Sequence, residues 1–226
     1  MRLLLATDDD ALRRSLSEEL DRHWYCADRV LTRSELNLAL TEYEWGGLLV
    51  GPSFDGQAVC TLLAALKSRL EGVPVVALLD ERAGLGEALD AGADDAMTVP
   101  PDIDELLARL RAFDRRRIGS TDSLLATDVV AVDLAACCAL VGDRRIPLKR
   151  REFQILKYLI THAGRPVSAR SLHDHVYGWS EDVVSNALHV HIHNLRRKLP
   201  AGVIVTVRGV GFMMHGRRGA LVRTPR

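Results

Sequence analysis

The chain has 226 residues, with 30 Lys+Arg balancing 30 Asp+Glu, and it is 47% hydrophobic and 27% charged. That length suits two compact domains that each bury a core, and the composition is that of a soluble globular protein. No apolar run approaches the roughly 18 residues of a membrane span, and Met1–Ala6 is too short an apolar segment for a signal peptide, so a cytoplasmic protein is expected. Cys26, Cys60, Cys137 and Cys138 form no Cys-x-x-Cys pair, so neither a disulfide framework nor a zinc site is indicated, and no cofactor is implied.

The zero net charge conceals an asymmetry. Residues 1–118 carry 14 Lys+Arg against 22 Asp+Glu, a net −8, whereas residues 119–226 carry 16 against 8, a net +8. A basic half is what polyanion binding requires; two solvated surfaces of opposite bias are the plainer alternative.

In chain order, Leu3–Ala6 reads as a strand and Ala11–His23 as an amphipathic helix through Leu12, Leu16 and Leu20. Leu31–Tyr43 repeats the helical period, Leu48–Val50 is a strand that ends on Gly51, and Ala58–Leu70 is a helix. Val73–Leu79 is a β-rich run, Leu85–Ala91 a helix, Ala96–Val99 a short strand and Asp104–Arg116 a helix. Continuous apolar strands imply burial on both faces, hence an α/β fold with a parallel sheet between helical layers. The working site of such a sheet lies beyond its strand ends, here Thr7-Asp8, Gly51, Leu79-Asp80 and Val99-Pro100. The polar stretch Asp114–Ser123 reads as the linker.

Beyond it, Val129–Leu134 and Cys137–Val141 read as strands, with a turn at Gly142-Asp143 between them. Arg151–His162, Ala169–Val176 and Ser185–Leu199 are helical, and Val203–Val207 and Phe212–His215 flank a hairpin at Arg208-Gly-Val-Gly211. The end, Gly216–Arg226, is basic and expected to be loose.

Three separated motifs carry the specific signal: Leu148-Lys-Arg-Arg-Glu-Phe153, the helix Ser185–Leu199, and Thr206-Val-Arg-Gly-Val-Gly-Phe212. Together they closely resemble the winged-helix DNA-binding domain of the OmpR/PhoB response regulators. On that helix Leu188, Ile192, Leu195 and Leu199 form one apolar stripe, leaving other faces to a groove. The resemblance implies DNA contacts at Asn186, His193, Asn194, Arg196 and Arg197. It also implies an apolar contact of Val190 with a thymine methyl, a phosphate contact at Thr206, and Arg208 in the minor groove. His193 and Asn194 stand where the family often has arginines. His189 and His193, at i and i+4, share a face suited to a metal, but no further ligand is spaced to complete a site.

Leu3-Leu-Leu-Ala-Thr-Asp-Asp-Asp10, Pro74–Leu79 and Ala91-Gly-Ala-Asp-Asp95 with Val99-Pro100 resemble the receiver domain of the same regulators. The implied organisation is a flavodoxin-like (CheY-like) receiver over 1–117 with a parallel five-stranded sheet, a linker over 118–123, and an α+β winged helix-turn-helix domain over 124–226. Family receivers accept a phosphoryl group on an aspartate beside Mg²⁺. In this chain the acceptor position is Gly51, the acidic pair falls on Thr7 and Asp8 with Asp9 as a partial substitute, the hydroxyl position is Leu79 and the lysine position Val99. That set is not catalytic.

The resemblance also implies a homodimer, with cross-subunit pairs of Asp90 with Arg111, Asp95 with Arg109 and Asp94 with Arg116; Leu85 stands where a basic residue commonly faces Glu105. Tyr177–Val184 is the implied RNA polymerase surface. The expected protein is a transcription regulator that binds tandem half-sites on double-stranded DNA without aspartyl phosphorylation and without contact with a membrane. A small-molecule ligand in the altered pocket, a conventional phosphorelay through another acceptor, and a non-DNA adaptor role are the alternatives.

Overall fold

The computed structural model describes residues 1–70, 72–80, 84–118, 124–179 and 187–216. The chain divides into two compact units, Met1–Phe113 and Asp114–Arg226. The first alternates β1 (Arg2–Ala6), α1 (Asp10–Arg22), β2 (Cys26–Val30), α2 (Arg33–Glu42) and β3 (Gly47–Val50). A small ribbon of β4 (Ser53–Phe54) and β5 (Gln57–Ala58) leads into α3 (Val59–Leu66), which a 3-10 turn over Lys67–Arg69 ends. Then follow β6 (Val75–Leu79), α4 (Leu85–Asp90), β7 (Asp95–Thr98) and α5 (Ile103–Ile118).

Strands β2-β1-β3-β6-β7 form one parallel five-stranded sheet in that order. Residue alternation divides each strand between two cores. Leu3 and Leu5 of β1 join Leu12, Leu16 and Leu20 of α1 and Leu106, Leu110 and Phe113 of α5. Leu4 and Ala6 face the other side, with Leu36 of α2, Leu62 and Leu63 of α3 and Ala88 of α4. The doubly wound α/β expectation holds.

The reading in chain order passed over β2, because its sequence Cys-Ala-Asp-Arg-Val carries charge. Asp28 is nevertheless buried, and its Oδ2 accepts a 2.6 Å bond from Nε of the equally buried Arg2. The Arg2 guanidinium lies 5.1 Å from the Tyr43 ring centroid and 4.5 Å from that of Trp45. A paired charge between aromatic faces can occupy a core position that an apolar count assigns to solvent. A second correction concerns the linker: α5 continues through Asp114 to Ile118, because Arg115–Arg117 are good helix formers and the first breaker is Gly119. Residues 119–123 lie outside the described residues.

The second unit opens with β8 (Leu124–Ala126), β9 (Ala131–Asp133), β10 (Cys138–Val141) and β11 (Arg144–Pro147), an antiparallel sheet ordered β11-β10-β9-β8. Gly142-Asp143 joins β10 to β11, not the two strands read from the sequence. The β9–β10 turn is instead closed by the Asp133 carboxylate, which accepts from the Ala135 and Ala136 amides at 3.0 Å each. Then come α6 (Arg150–Thr161), β12 (Val167–Ser168), α7 (Ala169–Tyr177), α8 (Ala187–Lys198), β13 (Ile204–Val207) and β14 (Gly211–Met214), with β12-β14-β13 forming a three-stranded sheet. Helix α6 is the hub of this unit: Phe153, Ile155, Leu156, Leu159 and Ile160 are buried, and it packs on α7, α8, β8, β9 and β14.

Asp28→Ala takes the carboxylate partner away from the buried Arg2 Nε, so it lowers the stability of the first unit by about 3–5 kcal/mol, read from the denaturant midpoint of the full chain.

Candidate nucleic-acid interface and strand-end crevice

Helix α8 distributes its side chains over three directions. Leu188, Ile192 and Leu195, with Leu199 just beyond, are buried against the unit's core. Opposite that stripe, at about 100° per residue, lie Val190, His193, Asn194 and Arg197. Val190 is 51% exposed, His193 and Arg197 are exposed, and Asn194 is half-buried. One flank turns to the β13–β14 hairpin: Arg196 donates from Nε to the Ile204 carbonyl at 2.9 Å and from Nη2 to Thr206 Oγ1 at 2.8 Å. His189 sits on the same flank, its ring edge-on to Phe212 with centroids 5.6 Å apart. The face that His189 and His193 share by spacing is thus divided, since His189 packs on the hairpin while His193 points away from the core. Asn186 lies outside the described residues.

The other flank faces the inner helices. Lys198 donates to Glu152 Oε2 at 2.6 Å and to the Pro147 carbonyl at 2.9 Å. Glu152 is 1% exposed, and its Oε2 also accepts from the Lys149 amide at 2.8 Å. One buried carboxylate thereby caps α6 and anchors the end of α8. Its place three residues after Lys149 is a capping-box position legible in the sequence, although its second partner, 46 residues away, is not. His191 lies on this flank, 6.5 Å from Tyr177 between ring centroids, and its Nδ1 is buried with no hydrogen-bond partner. Burial holds its pKa below the ordinary 6.5; Glu152 opposes that shift, and Arg151 and Lys149 add to it.

The hairpin projects Arg208-Gly-Val210 from the body. Arg208 is exposed and Val210 is 49% exposed. Gly209 has φ +75°, and the Val210 amide closes the turn on the Val207 carbonyl at 3.0 Å. At Gly211 a Cβ would fall 2.2 Å from the Val167 carbonyl oxygen, so only glycine lets β14 approach β12.

In the first unit, the strand order reverses between β1 and β3, where a doubly wound sheet opens its crevice. Thr7 and Gly51 are the residues that follow those strands, and they pack closely against each other. A Cβ on Gly51 would lie 2.1 Å from Thr7 Oγ1 and 2.5 Å from Thr7 Cβ, and Thr7 is 1% exposed. The neighbouring carboxylates are engaged locally. Asp8 accepts from the Asp55 and Gly56 amides at 2.8 and 3.2 Å, holding the β4–β5 ribbon. Asp9 caps α1 through the Ala11 and Leu12 amides at 2.8 and 2.9 Å, and Asp10 pairs with Arg13. Leu79 is fully buried, and Val99 packs beside the core shared by α1 and α5. Among the described residues no group of three or more His, Cys, Asp or Glu could hold a metal ion.

One of the pairs expected across a subunit boundary, Asp95 with Arg109, also forms within the chain. Arg109 donates to Asp95 at 2.5 Å and also pairs with Glu105, and these hydrogen bonds raise its pKa further. Asp94 Oδ2 accepts from the Val75 amide at 2.8 Å. Asp90 and Arg116 are exposed and Arg111 is half-buried, on α4 and α5.

A family model described as "Transcriptional regulatory protein, C terminal" matches residues 143–214, from the β10–β11 turn to the end of β14. The response regulator protein PmrA of Pseudomonas aeruginosa is 36% identical over 218 residues, covering 94% of this chain and 97% of that protein. The transcriptional regulatory protein PmrA of Pectobacterium parmentieri is 34% identical over 222 residues, covering 95% and 97%. The chain belongs to the OmpR/PhoB family of response regulators. A solved structure of the response regulator DrrB of Thermotoga maritima, described as an OmpR/PhoB homolog, is 22% identical with a TM-score of 0.45, covering 95% of this chain and 99% of its own. In this OmpR/PhoB regulator the matched segment contains α8 and the hairpin, the elements of the candidate DNA interface. No helix among the described residues is long and apolar enough to cross a membrane.

Gly51→Ala forces Thr7 or the strand end to move and lowers stability by about 1–3 kcal/mol. Adding Thr7→Ala removes the hydroxyl but leaves its Cβ, so the combined variant recovers part of that loss in the same denaturant titration. Because the folded pKa of His191 is depressed, the unfolded chain takes up its proton first, and stability present above about pH 6.5 is lost as pH falls below it. The melting temperature of the second unit therefore drops between pH 7 and pH 5, and His191→Gln lessens that drop.

Proposed function

We propose that the chain is a dimeric, sequence-specific transcription regulator whose receiver unit works without aspartyl phosphorylation. The seating of Thr7 against Gly51 carries this reading. The position where the resemblance calls for a phosphoacceptor has no carboxylate, and the space that such a side chain needs is occupied. The aliphatic Leu79 and Val99 offer no hydroxyl or ammonium to a phosphoryl oxygen, and Asp8 and Asp9 accept amides of the ribbon and of α1. The burial of both Thr7 and Leu79 also favours this reading over control by a small molecule bound against them.

In the DNA-bound state α8 enters the major groove with Val190, His193, Asn194 and Arg197 outward, Val190 against a thymine methyl. Arg208 at the hairpin tip reads the width of the adjacent minor groove. An isologous dimer through α4, β7 and α5 pairs two such units with tandem half-sites about one helical turn apart. Leu85 and Leu89, exposed one turn apart on α4, support that face, and Asp90 and Arg111 remain on it as candidates for cross-subunit contact. The proposed polymerase surface, Tyr177–Val184, is described only through Trp179. Output then follows protein abundance and dimer formation, in a cytoplasmic protein with no enzymatic step.

Full-length protein incubated with Mg²⁺ and labelled acetyl phosphate incorporates no label in residues 1–117, and untreated protein selects a defined duplex from a random pool. An acyl phosphate mapped to any residue of 1–117, with tighter DNA binding on labelling, overturns phosphorylation independence. Failure to enrich any duplex overturns the DNA-binding assignment of α8 and the hairpin.

A further inference from the structure

The flank of α8 that faces the hairpin holds a residue whose expected role and observed bonding differ. Arg196 is expected at a DNA contact, yet two of its donors end inside the protein: Nε on the Ile204 carbonyl and Nη2 on Thr206 Oγ1. Both acceptors belong to β13. Two turns earlier on the same flank, His189 meets Phe212 of β14 edge-on. Helix α8 therefore grips both strands of the hairpin. Away from α8, β14 is held by its pairing with β12 at Val167↔Phe212 and Ser168↔Gly211, by the Gly164 and Ala169 amides on the Met214 and Val210 carbonyls, and by α6, whereas β13 is the edge strand of this sheet. A two-stranded ribbon is marginal alone, so its direction depends on what it is braced against.

We infer that Arg196 is a positioning residue that sets the distance and angle between the reading face of α8 and the tip residue Arg208. The inference rests on the DNA-binding reading above. The guanidinium suits this role because it is a planar fork, whose donors reach a backbone carbonyl and a side-chain hydroxyl two residues apart on one strand in a single orientation. A lysine ammonium keeps the charge but offers one point, so it cannot fix that geometry. Thr206 is two residues from Arg208, so the brace acts at the base of the tip rather than at a remote part of the hairpin. A protein that reads one groove with a helix and the next with a hairpin needs both at a fixed spacing, because a loosely held tip pays ordering entropy on binding.

The test uses the full chain and the duplex that the wild type enriches from a random pool. Affinities are measured against salt for the wild type and for Arg196→Met, Arg196→Lys and Thr206→Val, each with and without Arg208→Ala. The inference expects Arg196→Met and Arg196→Lys to weaken binding alike, by about tenfold, with the wild-type salt slope retained. Arg208→Ala, which weakens the wild type, then has little further effect in the Arg196→Met background, because an unbraced tip no longer reaches its groove. Thr206→Val reproduces the coupling to Arg208 in smaller measure, and it carries the test if an Arg196 variant fails to fold.

Two results overturn the inference. In one, Arg196→Lys binds like wild type while Arg196→Met lowers the salt slope by about one, the signature of a phosphate contact. In the other, Arg208→Ala costs the same factor in every background. Absence of any enriched duplex for the wild type strikes the DNA-binding reading first, and is distinguished from both.

Discussion

Thr7 and Gly51 share a volume that holds one side chain. They stand after β1 and β3, where the doubly wound sheet reverses direction and leaves an opening between helices on opposite faces. Beside the buried Thr7, the neighbouring carboxylates make structural bonds. Asp8 turns to the β4–β5 ribbon, Asp9 to the first turn of α1 and Asp10 to Arg13. The ribbon is held in turn at α2, where Asp55 accepts from the Arg33 amide. One steric fact at the strand ends thus reaches the loops on both sides of the sheet.

The second unit solves a different problem, that of presenting a polar helix rigidly. A helix with a single buried stripe can roll about its axis unless its flanks are held. In α8 both are: Lys198 reaches the buried Glu152 on one side, and Arg196 and His189 reach the hairpin on the other. Between those flanks Val190, His193, Asn194 and Arg197 are turned outward. Basic residues on one short helix therefore serve unlike purposes, and charge alone does not distinguish them.

Where periodicity and burial coincide, the sequence was legible. The stripe Leu188, Ile192, Leu195 and Leu199 is buried as read, α1 buries Leu12, Leu16 and Leu20, and the continuous apolar strands do form a parallel sheet. Where a charge is buried, the sequence was opaque. β2 was missed because Asp28 sits in its middle, and nothing local announces that Arg2 will neutralise it. The edge strand β11, Arg-Arg-Ile-Pro, was missed for a related reason: its sheet has an exposed border that asks for no apolar residues. Asp94 and Asp95 likewise meet the Val75 amide and Arg109 of the same chain, contacts that no local pattern announces.

The sequence by itself determined the two-unit architecture, the burial stripes of the helices and the family. Each follows from local periodicity, or from motifs whose residues lie close together in the chain. Only the tertiary structure decided which polar groups are spent internally. That outcome depends on which distant segments meet: Thr7 with Gly51, Arg2 with Asp28, Lys198 with Glu152 and Arg196 with Thr206. Short-range pattern says that a side chain can bond, whereas packing across the fold decides with what.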